Sequence, residues 1–131
     1  MVIVVGYYPA TPGEAALTRA IEEARLRAGR LVVVNSSRGD ALVDPRFAQG
    51  EDVDRLEAIL TASGVEWQLQ QPVRGHDTAE EILGVAESTR ADLIVSGMRH
   101  RTPVGKLIMG STAQRVLLGA LCPVLSVKAS D

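Results

Sequence analysis

Short apolar, β-branched runs recur along the chain. Between them lie stretches in which apolar residues return every three or four positions. The runs at residues 2–5, 31–34, 65–69, 93–96 and 124–127 read as strands. The first helix opens at Thr11-Pro12-Gly13-Glu14: Thr11 can cap, Pro12 suits the first helical position, and Glu14 completes a capping box. Ala16, Ala20, Ile21 and Ala24 then share one face, and Gly29 stops the helix. A second helix is expected over residues 51–63, with Val53, Leu56, Ile59 and Leu60 as its apolar stripe and Gly64 at its end. Asp77-Thr78-Ala79-Glu80 is another capping box, and Ala79, Ile82, Leu83 and Ala86 have helical spacing. The fourth helix starts at Ser111, with Gln114 three residues on and Val116 and Leu117 as core contacts. Cys122-Pro123 leads into the last strand.

This alternation predicts an α/β fold, a five-stranded parallel sheet with helices on both faces. The run 65–69 interleaves Glu66, Gln68 and Gln70, so one face is polar and it belongs at a sheet edge. Runs 2–5, 31–34 and 93–95 are continuously apolar and belong in the centre. The flavodoxin-like, Rossmann-like strand order 3-2-1-4-5 satisfies both requirements. It leaves 124–127 as the second edge. An uncovered edge invites pairing and no proline interrupts this one, so a homodimer through edge strand 124–127 is expected. Residues 35–50 form a long connection.

Composition narrows the function classes. The 131 residues fit a single domain, 1–131, and 46% hydrophobic with 23% charged residues is ordinary globular usage. A net charge of −2 gives no basic face, so no nucleic acid partner is expected. The one cysteine, Cys122, excludes a disulfide within the chain and favours a reducing compartment. No signal-peptide pattern opens the sequence, and no apolar run approaches the ~18 residues of a membrane span. The expectation is therefore a cytoplasmic protein without membrane contact. Asn35-Ser36-Ser37 matches a glycosylation acceptor, which is a coincidence in a chain with no secretory signal.

The chemistry concentrates where the sheet topology would place a ligand. Open parallel sheets bind beyond the carboxyl ends of their strands, at the switch point. Here that point lies between the first and fourth strands, which are left by Gly6-Tyr7-Tyr8-Pro9 and Gly97-Met98-Arg99-His100. The loop then runs to Gly110 and the helix opening at Ser111. Glycines let backbone N–H groups approach a ligand, and a helix N-terminus offers unpaired donors and a positive dipole end. Ser111 and Thr112 add hydroxyls, and Arg99, His100, Arg101 and Lys106 make the loop basic. The sum favours an anion. The plainer reading makes Gly97 a turn residue, Ser111 a helix cap and the arginines solvated. Gly105 to Thr112 has the glycine spacing of a P-loop, but Ser111 stands where its lysine belongs, and G-x-G-x-x-G is absent.

Other residues carry less. His76 and His100 are the only histidines and have no partner at a metal-binding spacing, so no metal site is expected. Cys122 reads as a buried, inert thiol and Trp67 as a packing residue. Tyr7 and Tyr8 reach the ligand end, where stacking on a base and packing over the site are equally open. Glu22, Glu23, Glu80, Glu81 and Glu87 read as a solvated helical face. Ser111 with His100 lacks a third group, so no catalytic residues are assigned: not an enzyme, at most slow ATP hydrolysis.

Gly97-Met98-Arg99-His100, nine residues, then Gly110-Ser111 resembles the universal stress protein signature G-x2-G-x9-G-(S/T). Residues 73–82 (beginning Val73-Arg74-Gly75-His76-Asp77), Ala91-Asp92-Leu93-Ile94-Val95 and Cys122-Pro123-Val124-Leu125-Ser126-Val127 resemble the same family, so the similarity covers nearly the whole chain. The resemblance implies an adenine nucleotide alpha hydrolase-like fold, a homodimer, a role in stress survival and, in one branch, binding of ATP or AMP. Gly97, Gly110 and Ser111 match phosphate and ribose contacts, and Val34 lies where the family lays backbone against adenine. His100 replaces the second glycine of the binding branch, and Gly6 stands where the first strand usually delivers an aspartate. A β-carbon at 100 crowds a phosphate or resists positive φ, whereas an imidazolium would contact the phosphate. The cofactor-binding set is thus Gly6, Val34, Gly97, Arg99, His100, Gly110, Ser111 and Thr112. The expected function is a stress-response regulator binding an adenine nucleotide; the alternative is a nucleotide-independent dimeric interaction module.

Overall fold

Val4 lies at the centre of the sheet, paired with Val32 on one side and Ile94 on the other. In the computed structural model, nine elements alternate along the chain. They are β1 (Val2–Gly6), α1 (Thr11–Arg27), β2 (Arg30–Val34), α2 (Glu51–Ser63), β3 (Glu66–Gln70), α3 (Thr78–Thr89), β4 (Leu93–Arg99), α4 (Ser111–Gly119) and β5 (Val124–Ala129). The structure describes residues 1–36, 50–72, 77–99 and 110–129, with Arg99 described by its backbone alone. All five strands are parallel, in the order β3-β2-β1-β4-β5 expected from the sequence.

The continuous apolar runs are explained by burial on both faces. Ile3, Val5, Leu31, Val33, Leu93 and Val95 pack with Leu17 and Ala20 of α1 and Leu56 and Leu60 of α2. The intervening Val4, Val32, Val34 and Ile94 pack with Ile82 and Ala86 of α3 and Val116 of α4. Each fully buried aliphatic side chain contributes about 1.5–3 kcal/mol from area removed from water. On β3, Glu66 and Gln68 are exposed while Trp67 and Leu69 pack against the α1–α2 layer, which is the edge-strand pattern.

Several local expectations are corrected. Thr11 does not cap α1: the N-cap is Ala10, without a side-chain bond, and Thr11 is already helical. Glu14 does not reach back to complete a box, because its carboxylate is taken by Tyr7 and Arg55. The left-handed residue ending α1 is Ala28 (φ 50°), and Gly29 follows it, donating its N–H to Ala24. Ser111 is the first helical residue of α4 rather than its cap, so Gln114 falls outside the box position. Leu117 is 45% exposed, and Val116 alone of the expected pair enters the core. Glu23 and Glu81 are buried, not solvated. Glu23 is held by Arg19 and Arg27, and the Arg27 hydrogen bond keeps its carboxyl below the usual range despite burial. Asp77 does cap α3, accepting from the Glu80 N–H at 2.9 Å.

Candidate functional site

The carboxyl ends of β1, β2 and β4 and the N-termini of α3 and α4 surround a cavity of about 300 Å³. That is the small end of the range for small-molecule sites, about 300–1,000 Å³. Gly6, Tyr7 and Tyr8 line it from the β1 exit, Ser36 from the β2 exit, and Ser96, Gly97 and Met98 from β4. Thr78 and Ile82 of α3 and Gly110 to Ala113 at the head of α4 complete the wall. This cavity lies at the strand ends to which the switch-point rule points.

Gly97 and Gly110 are glycines for different reasons. Gly97 lies inside β4, so it is not a turn residue. A β-carbon there would stand 1.9 Å from the Pro12 carbonyl oxygen, so only glycine lets the start of α1 seat against β4. Gly110 has φ −63° and ψ 157°, a conformation any residue adopts. A β-carbon there would meet no described atom within 4 Å. It stands at the N-cap of α4, and Gln114 N–H makes the first intrahelical bond, to the Gly110 carbonyl. The backbone N–H groups of residues 111–113 precede that bond and have no intrahelical acceptor. Ser111 is exposed and caps nothing, so its hydroxyl is not committed to the helix end.

The two helix heads are tied together. Asp77, the cap of α3, forms an ion pair with Arg115 of α4, and Arg115 also approaches Glu80 at 3.5 Å. The Glu80 N–H and then the Arg115 guanidinium hold the Asp77 carboxyl below its ordinary range. On the opposite side, Asn35 is buried; it donates to the Tyr7 carbonyl at 2.9 Å and accepts from Gln71 at 3.1 Å. These bonds fix the exits of β1 and β2 relative to each other.

Tyr7 and Tyr8 separate in role. Tyr7 is buried in the α1–α2 core, and its hydroxyl donates to Glu14 at 2.8 Å, with Arg55 at 3.4 Å. Burial and the Glu14 carboxylate push its phenol well above the usual range. Both tyrosines border the cavity, but the Tyr7 ring is held in the core and is unavailable for stacking.

Of the eight residues expected to bind a cofactor, the cavity brings together Gly6, Gly97, Gly110, Ser111 and Thr112. Val34 lies elsewhere: its side chain packs in the α3–α4 core and its carbonyl accepts from the Tyr7 N–H at 2.9 Å. The Arg99 side chain, His100, Arg101 and Lys106 lie outside the described residues, as do His76 and positions 37–49 of the long connection. Ser36, Thr78, Ile82 and Ser96 were not singled out from the sequence as site residues. Applying the strand-exit rule to β2 would have found Ser36, two residues past its last strand position.

Gly6 has a neighbour that accounts for it. A β-carbon at position 6 would stand 2.7 Å from Cδ1 of Ile82. The isoleucine methyl thus fills the place beside β1 that a side chain at this position would enter.

Among the described residues, no group of three or more His, Cys, Asp or Glu side chains is placed to hold a metal, and no helix is long and apolar enough to cross a membrane. Cys122 is half-buried, and burial raises its thiol pKa, which disfavours the reactive thiolate.

The universal stress protein family model matches residues 1–128. The chain belongs to the universal stress protein family. It is 51% identical over 126 residues to a universal stress protein of Mycolicibacterium smegmatis, a match covering 96% of each chain. A universal stress protein structure from Archaeoglobus fulgidus is 34% identical, with a TM-score of 0.77 over 98% of both chains. A structure of the universal stress protein from the same organism in complex with dAMP is 29% identical, with a TM-score of 0.68 over 98% of both chains. For this universal stress protein, strand order and family agree.

Proposed function

We propose that this universal stress protein acts as a single domain, 1–131, that binds an adenine nucleotide, AMP or ATP, at the switch-point cavity. The observation that carries the reading is Gly110. Neither its backbone angles nor any described neighbour requires a glycine, and it stands beside the N–H groups at the head of α4 that have no intrahelical acceptor. A site that keeps a β-carbon out of open space beside helix donors suits close approach of a phosphate. The dAMP complex of the Archaeoglobus fulgidus relative supports an adenine nucleotide as the ligand class. The protein works by occupancy rather than catalysis, in the cytoplasm, with ligand coupled to partner choice or to a homodimer. The β5 edge, half-buried along residues 124–127, is the pairing surface for that homodimer.

Calorimetric titration with AMP, ADP, ATP and cyclic AMP tests the reading. Saturable binding of at least one of them is expected, and no binding at millimolar ligand overturns it.

A second reading has one observation in its favour. Ile82 fills the space beside Gly6, so β1 presents no carboxylate to a nucleoside. A nucleotide-independent, dimeric interaction module fits that loss. The substitution His100→Gly separates the two: gain of ATP binding by a native chain that has none favours the module.

A further inference from the structure

One wall of the cavity belongs to two helices. Thr78 and Ile82 come from α3, and Gly110 to Ala113 from the head of α4. Both helices begin at the carboxyl ends of the strands, so their positive dipole ends lie on the same side of the sheet. The sequence of α3 answers its own dipole: Asp77 caps the helix, and Glu80 and Glu81 stand in its first turn. That of α4 does not, having no acidic residue in its first turn and no side-chain cap. The carboxylates near its head come from the neighbouring helix.

Few described contacts anchor that head. The helix spans nine residues, of which Ala113 and Val116 are buried. Its tail is closely seated, because Cδ1 of Leu83 on α3 stands 2.8 Å from the place a β-carbon on Gly119 would take. Its head is held by charge. Arg115, just past the first turn of α4, pairs with Asp77 and approaches Glu80 at 3.5 Å. An apolar contact at the tail and a charged contact at the head thus set how α4 lies along α3. Arg115 is not among the described residues that line the cavity.

We propose that the Arg115–Asp77 pair positions the α4 head for the bound phosphate, so that nucleotide affinity depends on a charge contact outside the cavity. This rests on the proposed nucleotide binding and adds a positioning residue to it, Arg115, which acts through Asp77. Hydrogen bonds weaken steeply as donors lose alignment. The N–H groups at the head of α4 move together, so a shift of the helix weakens all their bonds to a phosphate at once. A direct electrostatic effect has a different signature. Acting only as charges near the phosphate, Arg115 would attract it and Asp77 would repel it. Neutralising Arg115 would then weaken binding, and neutralising Asp77 would strengthen it. A pair that acts by position is damaged by either change.

The test titrates AMP and ATP calorimetrically into the native chain, Asp77→Asn, Arg115→Gln and the double variant. Asparagine caps a helix about as well as aspartate, so Asp77→Asn removes the charge and keeps the cap. Each single variant should bind about two- to fivefold more weakly than the native chain, the size of one exposed ion pair. The double variant should lose no more than either single one, because each change alone already breaks the same contact. Ligand-free melting temperatures should stay within about 4 °C of the native value, which separates lost positioning from lost folding. Asp77→Asn binding as tightly as the native chain, or more tightly, overturns the role of the pair and leaves nucleotide binding standing. Losses that add fully in the double variant do the same. If the native chain binds neither nucleotide at millimolar concentration, the proposed function falls, and this inference falls with it.

Discussion

Arg115 on α4 forms an ion pair with Asp77, the residue that caps α3, so the two helix heads that flank the cavity share one charge contact. Their geometry is thereby coupled. Thr78, one residue from the cap, and Ser111 and Thr112, at the head of the helix carrying Arg115, all line the cavity.

That contact makes stability depend on acid. The Asp77 carboxyl is held below its ordinary value by the Glu80 N–H and by Arg115. A depressed carboxyl contributes stability that is fully present above the unfolded value, about 3.9, and is lost as pH falls through the folded one. Asp77→Ala should cost about 1 kcal/mol at neutral pH, a typical N-cap loss. Its cost should shrink in acid. Urea melts of both proteins from neutral pH to below 3.9 check this; a cost that stays constant across that range contradicts it.

The sequence contains two tyrosines, and one of them, Tyr7, should titrate late. Burial and the bond to Glu14 push the Tyr7 phenol up. Ultraviolet titration should show it ionising only in strong alkali, and Tyr7→Phe should remove that late step. Tyr7→Phe should also destabilise the fold by roughly 1 kcal/mol, since Glu14 loses a buried-end donor while keeping Arg55. A late step that survives in Tyr7→Phe would contradict the assignment.

Gly97 and Gly110 should part on substitution. Gly97→Ala places a β-carbon 1.9 Å from the Pro12 carbonyl, against backbone that cannot rotate away. It should destabilise by about 1–3 kcal/mol or more. Gly110→Ala meets no described atom and adopts the native angles freely, so the melting temperature should hold while AMP affinity falls. Thermal melts and calorimetry on the pair read both quantities. A Gly110→Ala protein that binds AMP as the native does would remove the main support for the phosphate position.

The architecture was legible because parallel strands buried on both faces leave a strong pattern. Val4 and Val32 need apolar neighbours on one side of the sheet while Ile3 and Leu31 need them on the other. The edge position of β3 followed from Glu66 and Gln68. Helix ends were less legible, because a cap is a bond and sequence shows only the residue type. Asp77 makes its bond, whereas Glu14, in the same kind of pattern, is drawn away by Tyr7 and Arg55 across the fold. Solvation of Glu23 and Glu81 was misread for the same reason: the charge pattern of a helix does not say how deeply the helix sinks. At the site, Gly97, Gly110 and Ser111 of the glycine motif line the cavity, Val34 does not, and the Arg99 side chain and His100 lie outside the described residues. Ser36 lies two residues past the end of β2 and reaches the cavity through strand order, while Ile82, whose helical spacing marked it only as a core residue, reaches it from α3.

The account turns on whether a nucleotide occupies this cavity. A crystal structure of the native chain grown with saturating AMP is the most direct measurement. It should show density spanning the cavity, with the phosphate against the N–H groups of residues 111–113. A clear electron-density map with that cavity empty would contradict it.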